Sequence, residues 1–192
     1  IDIENFYSGV CGEEIFRDIY KKYETRLKEN RLIDFDDMLS YTYELFKERP
    51  DILALWQNKY KYILIDEFQD INRLQYEIIK MLAAPQNNLF IVGDDDQSIY
   101  RFRGSKPEIM LGFEKDYPDA KRILLDTNYR CGRYIVEASL NLISHNRERF
   151  DKKIIAASKS KAPVTFADFE NRRDENIFLI RDIDKKIKAG AV

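Results

Sequence analysis

Adjacent carboxylates at the end of an apolar run are the first feature of the sequence that could do chemistry. Residues 62–65 contain no charged side chain, and Asp66 and Glu67 follow them directly. Such a run fits a parallel strand covered on both faces, and ligands of parallel sheets bind beyond the carboxyl ends of the strands. Because neighbouring acids repel each other, the pair predicts a cationic partner, and a divalent metal is the simplest one. The alternative is a polar turn at 66–70 that only caps the next helix.

A second acidic stretch follows another short apolar run. Residues 89–92 are predicted to form a strand, and Gly93 leads from it into three consecutive aspartates. Between the two runs, Asn72 and Gln75 predict a capped helix, so strand, helix and strand form a right-handed βαβ unit. Both strands then end at the same edge of the sheet, which predicts that the two sets of acids lie close together.

The loop at residues 93–104 combines aspartates, an amide, aromatic rings and arginines. Carboxylates can hold a metal, Gln97 can contact a phosphate, and interleaved aromatic and basic side chains suit single-stranded nucleic acid. The alternative interpretation is that Tyr100 and Phe102 alternate into the core.

Composition limits the classes of protein. The 192 residues include 32 Lys and Arg against 34 Asp and Glu, so no overall basic excess indicates nucleic-acid binding. Cys11 and Cys131 are far apart and form no CxxC pattern, which argues against a disulfide scaffold or a zinc site. Without a long apolar segment or a signal segment, we expect no membrane span and a cytoplasmic location. Because Met does not begin the sequence, we expect a fragment of a longer protein.

Periodicity and capping residues predict the remaining elements of an α/β fold. Three helices are predicted at 13–29, 52–56 and 135–143. Three more are predicted to begin at an Asp34 cap, at a Ser105–Glu108 capping box and at an Asp174 cap. Strands are predicted at 60–65, 122–125 and 164–169, and residues 147–161 are predicted to form a surface connection.

Four segments in this order resemble the motifs of the UvrD/Rep-like superfamily 1 DNA helicases. Residues 34–38 are similar to a short motif ahead of the Walker B strand, and 65–70 are similar to the Asp-Glu box. Residues 93–104 and 128–130 resemble motif III and motif IV. The resemblance implies a RecA-like parallel sheet with flanking helices.

The same resemblance implies pieces of two motor domains. Residues 1–32 would end the helical 1B insertion, residues 33–119 would form the latter part of motor domain 1A, and residues 120–192 would begin motor domain 2A.

By the same resemblance, Asp66, Glu67 and Gln97 would take part in ATP hydrolysis. Asp66 would bind Mg²⁺, and Glu67, also at the metal site, would orient and deprotonate the attacking water. Gln97 would contact the γ-phosphate and link it to DNA. Tyr129 would stack on the adenine, and Arg130 would act as an arginine finger. The predicted catalytic residues are thus the two acids, Gln97 and Arg130, and the predicted ATP-binding residues are Gln97, Tyr129 and Arg130.

Three further residues, Tyr100, Phe102 and Arg103, would contact single-stranded DNA by the same resemblance. The family commonly has Trp where this chain has Phe102, and a Ser where it has Cys131. The implied whole protein is an ATP-dependent helicase, of 3′ to 5′ polarity, that translocates on single-stranded DNA and unwinds duplex DNA in repair or replication, where protein partners are also expected.

The sequence leaves two other interpretations open. A metal-dependent phosphoesterase or nuclease could use Asp66, Glu67, Asp94 and Asp96 as ligands, and a helicase-like scaffold could bind DNA without hydrolysis. No Gly-rich phosphate loop ending in Gly-Lys-Ser/Thr occurs in the sequence, so we expect this chain alone to be inactive.

Overall fold

The computed structural model describes residues 9–160 and 162–190, except for the side chain of Arg103. The chain forms two compact units that divide after Ala120. Their assignment to helicase domains stays a prediction, and residues 1–8 of the expected 1B segment lie outside the described residues.

Both units mix helices with short parallel strands, so the α/β class is confirmed. The elements of the first unit are α1 (Glu13–Glu29), α2 (Phe35–Glu48), α3 (Pro50–Lys59), β1 (Ile63–Ile65), α4 (Arg73–Ala83), β2 (Leu89–Ile91), α5 (Pro107–Leu111) and α6 (Phe113–Asp116). The elements of the second unit are β3 (Thr127–Gly132), α7 (Arg133–Ile143), β4 (Ile155–Ser158) and α8 (Arg172–Lys188).

The predicted βαβ unit is confirmed in the first unit. Strands β1 and β2 pair in parallel with Ile65 opposite Ile91, and α4 connects them. The expectation that both faces of β1 are covered is wrong for the described residues, because Leu64 is 71% exposed. Alternate side chains of a strand point to opposite faces, and the described core packs against the face that carries Ile65 and Ile91.

Aromatic side chains form the centre of the core in the first unit. Phe68 is fully buried, and its ring meets Tyr76 and Phe113 edge-on at centroid distances of 5.9 and 5.6 Å. Edge-to-face geometry suits the quadrupoles of these rings. Because Phe68 follows the acidic pair directly, this packing fixes the backbone from which Asp66 and Glu67 project.

Capping residues explain where two helices of the first unit begin. The Asp34 side chain accepts from the backbone N–H of Asp37, and the Asp37 side chain accepts from the backbone N–H of Asp34. Asn72 and Gln75 form the same pair of hydrogen bonds at the start of α4. Each box satisfies otherwise unpaired donors in the first turn. Both predictions from capping residues are therefore confirmed.

A third capping box, predicted from Ser105 to Glu108, is wrong. Lys106 precedes α5 without a side-chain cap, and Glu108 instead pairs with Arg101 at 2.8 Å. The expected single helix is also interrupted at Gly112, which separates α5 from α6. Because α5 begins one residue later than the pattern requires, Glu108 is at the second helical position and not at the third, where a capping box needs it.

In the second unit, the predicted strand at 122–125 is wrong, and β3 begins after it at Thr127. Strand β4 lies within the predicted surface connection at 147–161 and pairs with β3 in parallel. Backbone hydrogen bonds decide this pairing, because the small residues of β4 give little hydrophobic signal.

The end of the chain differs from the prediction in two further ways. Residues 164–169 form no strand. The last helix begins after Asn171, not after Asp174, because the Asn171 side chain accepts from the backbone N–H groups of Arg173 and Asp174. Asn and Asp are comparable caps, so the sequence alone does not choose between them.

Candidate ATP and DNA site

The carboxylate pair lies in a tight turn immediately after β1. Glu67 has φ 52° and ψ 40°, in the left-handed region, and its backbone N–H donates to Asp66 Oδ1 at 2.9 Å. A non-glycine residue in this region costs roughly 1–2 kcal/mol, so the surrounding contacts must hold it there. Both side chains are exposed, so water relieves the repulsion that the sequence led us to expect.

Backbone hydrogen bonds hold this turn against the end of β2. The N–H of Phe68 donates to the carbonyl of Val92 at 2.9 Å, and the N–H of Val92 donates to the carbonyl of Ile65 at 2.8 Å. The N–H of Asp70 closes the turn by donating to the Glu67 carbonyl at 2.9 Å. The ends of β1 and β2 therefore meet at one sheet edge, as the sequence predicted.

A buried amide joins the two acidic stretches. Gln69 is 1% exposed; its Nε2 donates to Glu67 Oε2 at 2.8 Å, and its Oε1 accepts from the Asp94 N–H at 3.0 Å. The family resemblance includes Gln69 in the Asp-Glu box at 65–70 but gives a role only to the two acids, and the burial of Gln69 shows only in the fold.

The loop after β2 is organised around Asp94. Its Oδ2 accepts from Gln97 Nε2 at 2.8 Å, and its Oδ1 accepts from the backbone N–H of Asp96 at 3.2 Å. The three consecutive aspartates can bring one oxygen each within 4.8 Å of one another. Gln97 is exposed beyond this cluster, where its side chain could reach a bound phosphate.

These distances bear on the nuclease interpretation. That alternative uses Asp66, Glu67, Asp94 and Asp96 as metal ligands. Among the described residues, the carboxylates close enough to share a metal are those of residues 94–96, and the pair after β1 does not join them. Within the described part of the chain, the four acids of that alternative therefore do not form one closely spaced group.

A smaller donor set is enough for magnesium bound to a nucleotide. Mg²⁺ keeps several waters and is usually bound through one or two carboxylates together with phosphates. The exposed carboxylate of Asp66 at the end of β1 fits that requirement. Asp66 would hold the ion, and the ion would neutralise phosphate charge.

The aromatic pair of the loop lies at the surface. Phe102 is 78% exposed, and its ring centroid is 6.0 Å from that of the partly exposed Tyr100. The interpretation that Phe102 packs into the core is therefore wrong. Arg101 pairs with Glu108, and the predicted contact of the Arg103 side chain with DNA lies outside the described residues.

The segment at 128–130 belongs to the second unit and is part of β3, not of a loop. Asn128 Oδ1 accepts from the backbone N–H groups of Arg130 and Cys131 at 3.0 and 2.8 Å. Tyr129 is 82% exposed, and Arg130 is exposed beside it. The strand thus presents a ring and a guanidinium outward, with the Asn128 side chain fixing the backbone between them.

The short segment at 34–38 has a local structural role. Tyr23 Oη donates to Asp34 Oδ2 at 2.9 Å, and Asp34 also caps α2. The Asp37 N–H, and then the Tyr23 hydroxyl, lower the pKa of Asp34. The charged cap therefore joins α1 to the start of α2.

Comparison with known proteins identifies the family of the chain. The family described as "UvrD/REP helicase N-terminal domain" matches residues 4–118. The chain belongs to the UvrD/Rep helicase family. No helix among the described residues is both long and apolar enough to cross a membrane.

Individual relatives agree with this family. YjcD of Bacillus subtilis (strain 168), named provisionally as an ATP-dependent DNA helicase, is 48% identical over 180 residues, which cover 93% of this chain and 24% of YjcD. ATP-dependent DNA helicase PcrA of Staphylococcus epidermidis is 40% identical, and PcrA of Staphylococcus aureus (strain Mu50) is 41% identical, each over 172 residues that cover 90% of this chain and 24% of the relative. The chain thus spans about a quarter of the length of these UvrD/Rep relatives.

Proposed function

We propose that the whole protein is an ATP-dependent DNA helicase that couples ATP hydrolysis to translocation on single-stranded DNA and to unwinding of the duplex. The observation that carries this proposal is the meeting of the Asp66–Glu67 turn and the Gln97 loop at one sheet edge of a UvrD/Rep family chain. The names of the relatives support the same activity.

Phosphoryl transfer depends mainly on positioning and charge neutralisation, and the exposed turn after β1 suits both tasks. We assign Asp66 to the magnesium of the nucleotide and Glu67 to orienting and deprotonating the attacking water. Gln97 would contact the γ-phosphate. In the second unit, Tyr129 would stack on adenine and Arg130 would act as the arginine finger.

DNA would bind at the aromatic pair of the loop after β2. Tyr100 and Phe102 present ring surface to solvent, and Arg103 would add a contact to the backbone of the strand. Stacking on an aromatic ring accepts any base, which suits a motor that moves along arbitrary sequence. We also propose RecA-like motor domains, 3′ to 5′ polarity, a cytoplasmic location and a role with partner proteins in repair or replication.

Glu67→Gln in the whole protein tests this proposal. The amide keeps the shape of the side chain but cannot accept a proton from water, so ATP turnover should fall to background while ATP binding is largely retained. Phosphate release with and without single-stranded DNA, beside nucleotide binding, measures both effects. Turnover within a few fold of the unmodified protein would show that Glu67 is not the base.

Asp66→Asn is the companion variant. It should raise the magnesium concentration needed for half-maximal turnover, because a neutral amide binds the hard cation less well than a carboxylate. A whole protein that binds DNA but shows no DNA-stimulated hydrolysis would favour the scaffold interpretation.

A further inference from the structure

We propose that Gln69 is a positioning residue, which holds the carboxylate of Glu67 in place and ties it to the loop that carries Gln97. This inference rests on the proposed function, in which Glu67 activates the attacking water. Gln69 itself would touch neither water nor nucleotide.

The hydrogen-bond chemistry fixes the orientation of the Gln69 amide. The backbone N–H of Asp94 can only donate, so the side-chain oxygen of Gln69 must face it. The Nε2 group then faces Glu67 Oε2, which accepts at 2.8 Å. An ionised carboxylate can only accept, so both ends of the amide are matched to their partners.

Packing prevents the amide from turning away. Gln69 is 1% exposed, and a Cβ placed on Gly93 would lie only 2.6 Å from Gln69 Oε1. The same position would be 3.2 Å from Met110 Sδ, so Met110 also lies close to Gly93. Gly93 thus allows the backbone after β2 to approach the amide closely.

The same residue also fastens the loop after β2. The hydroxyl of Ser98 donates to the Gln69 carbonyl at 3.2 Å, and Asp94, whose N–H is bound by the Gln69 side chain, accepts from Gln97 Nε2 at 2.8 Å. An unbroken series of contacts therefore runs from Glu67 through Gln69 and Asp94 to Gln97.

This series explains how an exposed carboxylate in a strained turn keeps one direction. Glu67 lies in the left-handed region and its side chain is exposed, so solvent alone would leave several rotamers accessible. The buried Nε2 group of Gln69, whose amide is held by the Asp94 N–H, selects one of these rotamers by donating to the carboxylate. A small displacement of a catalytic group can cost about a hundredfold in rate, so such a support matters for turnover.

Gln69→Glu and Gln69→Met in the whole protein test the inference. The glutamate keeps the acceptor for Asp94 but places a second carboxylate against Glu67, and the methionine fills the space without any donor. We expect kcat for ATP, expressed per nucleotide-binding site, to fall by about tenfold to a hundredfold in both variants. KM for ATP should stay within about threefold, because a base acts in the transition state and not in binding.

Counting sites by stoichiometric nucleotide binding separates positioning from folding. A merely structural Gln69 would lower the fraction of protein that binds nucleotide and leave kcat per site unchanged. Values of kcat per site within about twofold of the unmodified protein in both variants would overturn the inference. If the glutamate variant does not fold, the methionine variant decides alone.

Gln57→Glu is the matched control. Gln57 is half-buried and its Nε2 donates to the Met81 carbonyl at 2.8 Å, so the substitution removes a similar hydrogen bond between α3 and α4 that does not involve the turn at Glu67. Its kcat per site should equal that of the unmodified protein.

Glu67→Gln, measured in parallel, distinguishes the two proposals. If it is inactive while both Gln69 variants keep full kcat, only the positioning role fails. If the unmodified protein shows no ATP turnover, the proposed function fails and the positioning role fails with it.

Discussion

Exposure of Phe102 decides between two roles that the sequence left open for this side chain. A ring that is 78% exposed contributes little to packing, so Phe102→Ala should leave the melting temperature nearly unchanged. A base stacked on such a ring is worth roughly 1–3 kcal/mol, so single-strand affinity of the whole protein should fall by about tenfold or more. Fluorescence titration with labelled single-stranded DNA, beside thermal unfolding, measures both quantities.

Phe102→Trp should preserve or strengthen DNA binding, because the larger ring keeps the stacking surface. Phe166→Ala is a suitable control, since Phe166 is 89% exposed and lies outside the loop. A Phe102→Ala protein that binds single-stranded DNA as tightly as the control would remove Phe102 from the proposed DNA site.

Gly93 gives a second test at the scale of one residue. Because a Cβ at this position would lie 2.6 Å from Gln69 Oε1, Gly93→Ala must displace a buried side chain that is hydrogen-bonded at both ends of its amide. We expect a loss of about 1–3 kcal/mol in the free energy of unfolding, as for other overpacked sites. Gly9→Ala, where nothing lies within 4 Å, should change stability far less when both are measured by chemical denaturation. Equal stabilities for the two variants would contradict the close approach.

At the scale of elements, a buried tyrosine joins α4 to α6. Tyr76 Oη donates to Asp116 Oδ2 at 2.8 Å, and its ring packs against Phe68. Burial first, and then the hydrogen bond to Asp116, raise the pKa of Tyr76 above its ordinary value. The folded chain therefore keeps the phenol protonated at a pH where the unfolded chain loses the proton.

Tyr76→Phe should lower stability by about 1 kcal/mol at neutral pH, since the hydrogen bond to Asp116 is lost. The contribution of the raised pKa is fully present below the unfolded value of about 10 and is lost as the pH rises above it. The difference in unfolding free energy between the unmodified chain and Tyr76→Phe should therefore shrink in alkaline buffer. The exposed Tyr62→Phe serves as the control, and a difference that stays constant with pH would contradict this account.

Elements were predictable where local signals agreed and were missed where pairing across the chain decided. The capping boxes at Asp34 and Asn72 located α2 and α4, because the side chains that cap are close in sequence to the groups they satisfy. Strand β4 was missed since its small residues carry no pattern until they pair with β3. The capping pattern at Ser105 was wrong, because α5 begins one residue later, after Lys106, and Glu108 pairs with Arg101.

The candidate site was likewise predictable where local signals sufficed and not where contacts between distant residues decided. The acids and aromatic residues were found from their types and spacing, and the meeting of β1 and β2 at one edge followed from parallel topology. The left-handed conformation of Glu67 and the two hydrogen bonds of the Gln69 amide were not predictable. The turn at Glu67 is held by backbone hydrogen bonds to the end of β2, and the contacts of Gln69 depend on its burial, so both arise only when distant parts of the chain pack together.

At the scale of the whole molecule, the chain carries a base, a magnesium ligand and a phosphate contact by our assignment, but its sequence has no Gly-rich loop for the triphosphate. Such a loop supplies backbone N–H groups and a lysine that surround the phosphates. The chain spans about a quarter of its UvrD/Rep relatives, so the missing groups have room elsewhere in a protein of that length.

We therefore expect the isolated chain to release phosphate from ATP at background rate, even with Mg²⁺ and single-stranded DNA. Electrostatic stabilisation by oriented donors is usually the largest contribution to catalysis of this kind, and Glu67 cannot replace it by accepting a proton. The test compares the isolated chain with its own Glu67→Gln variant, which serves as the background, and with the whole protein. Turnover by the isolated chain well above that of the variant would mean that groups within these residues already neutralise the phosphates, and the assignment of phosphate binding to other parts of the protein would then be wrong.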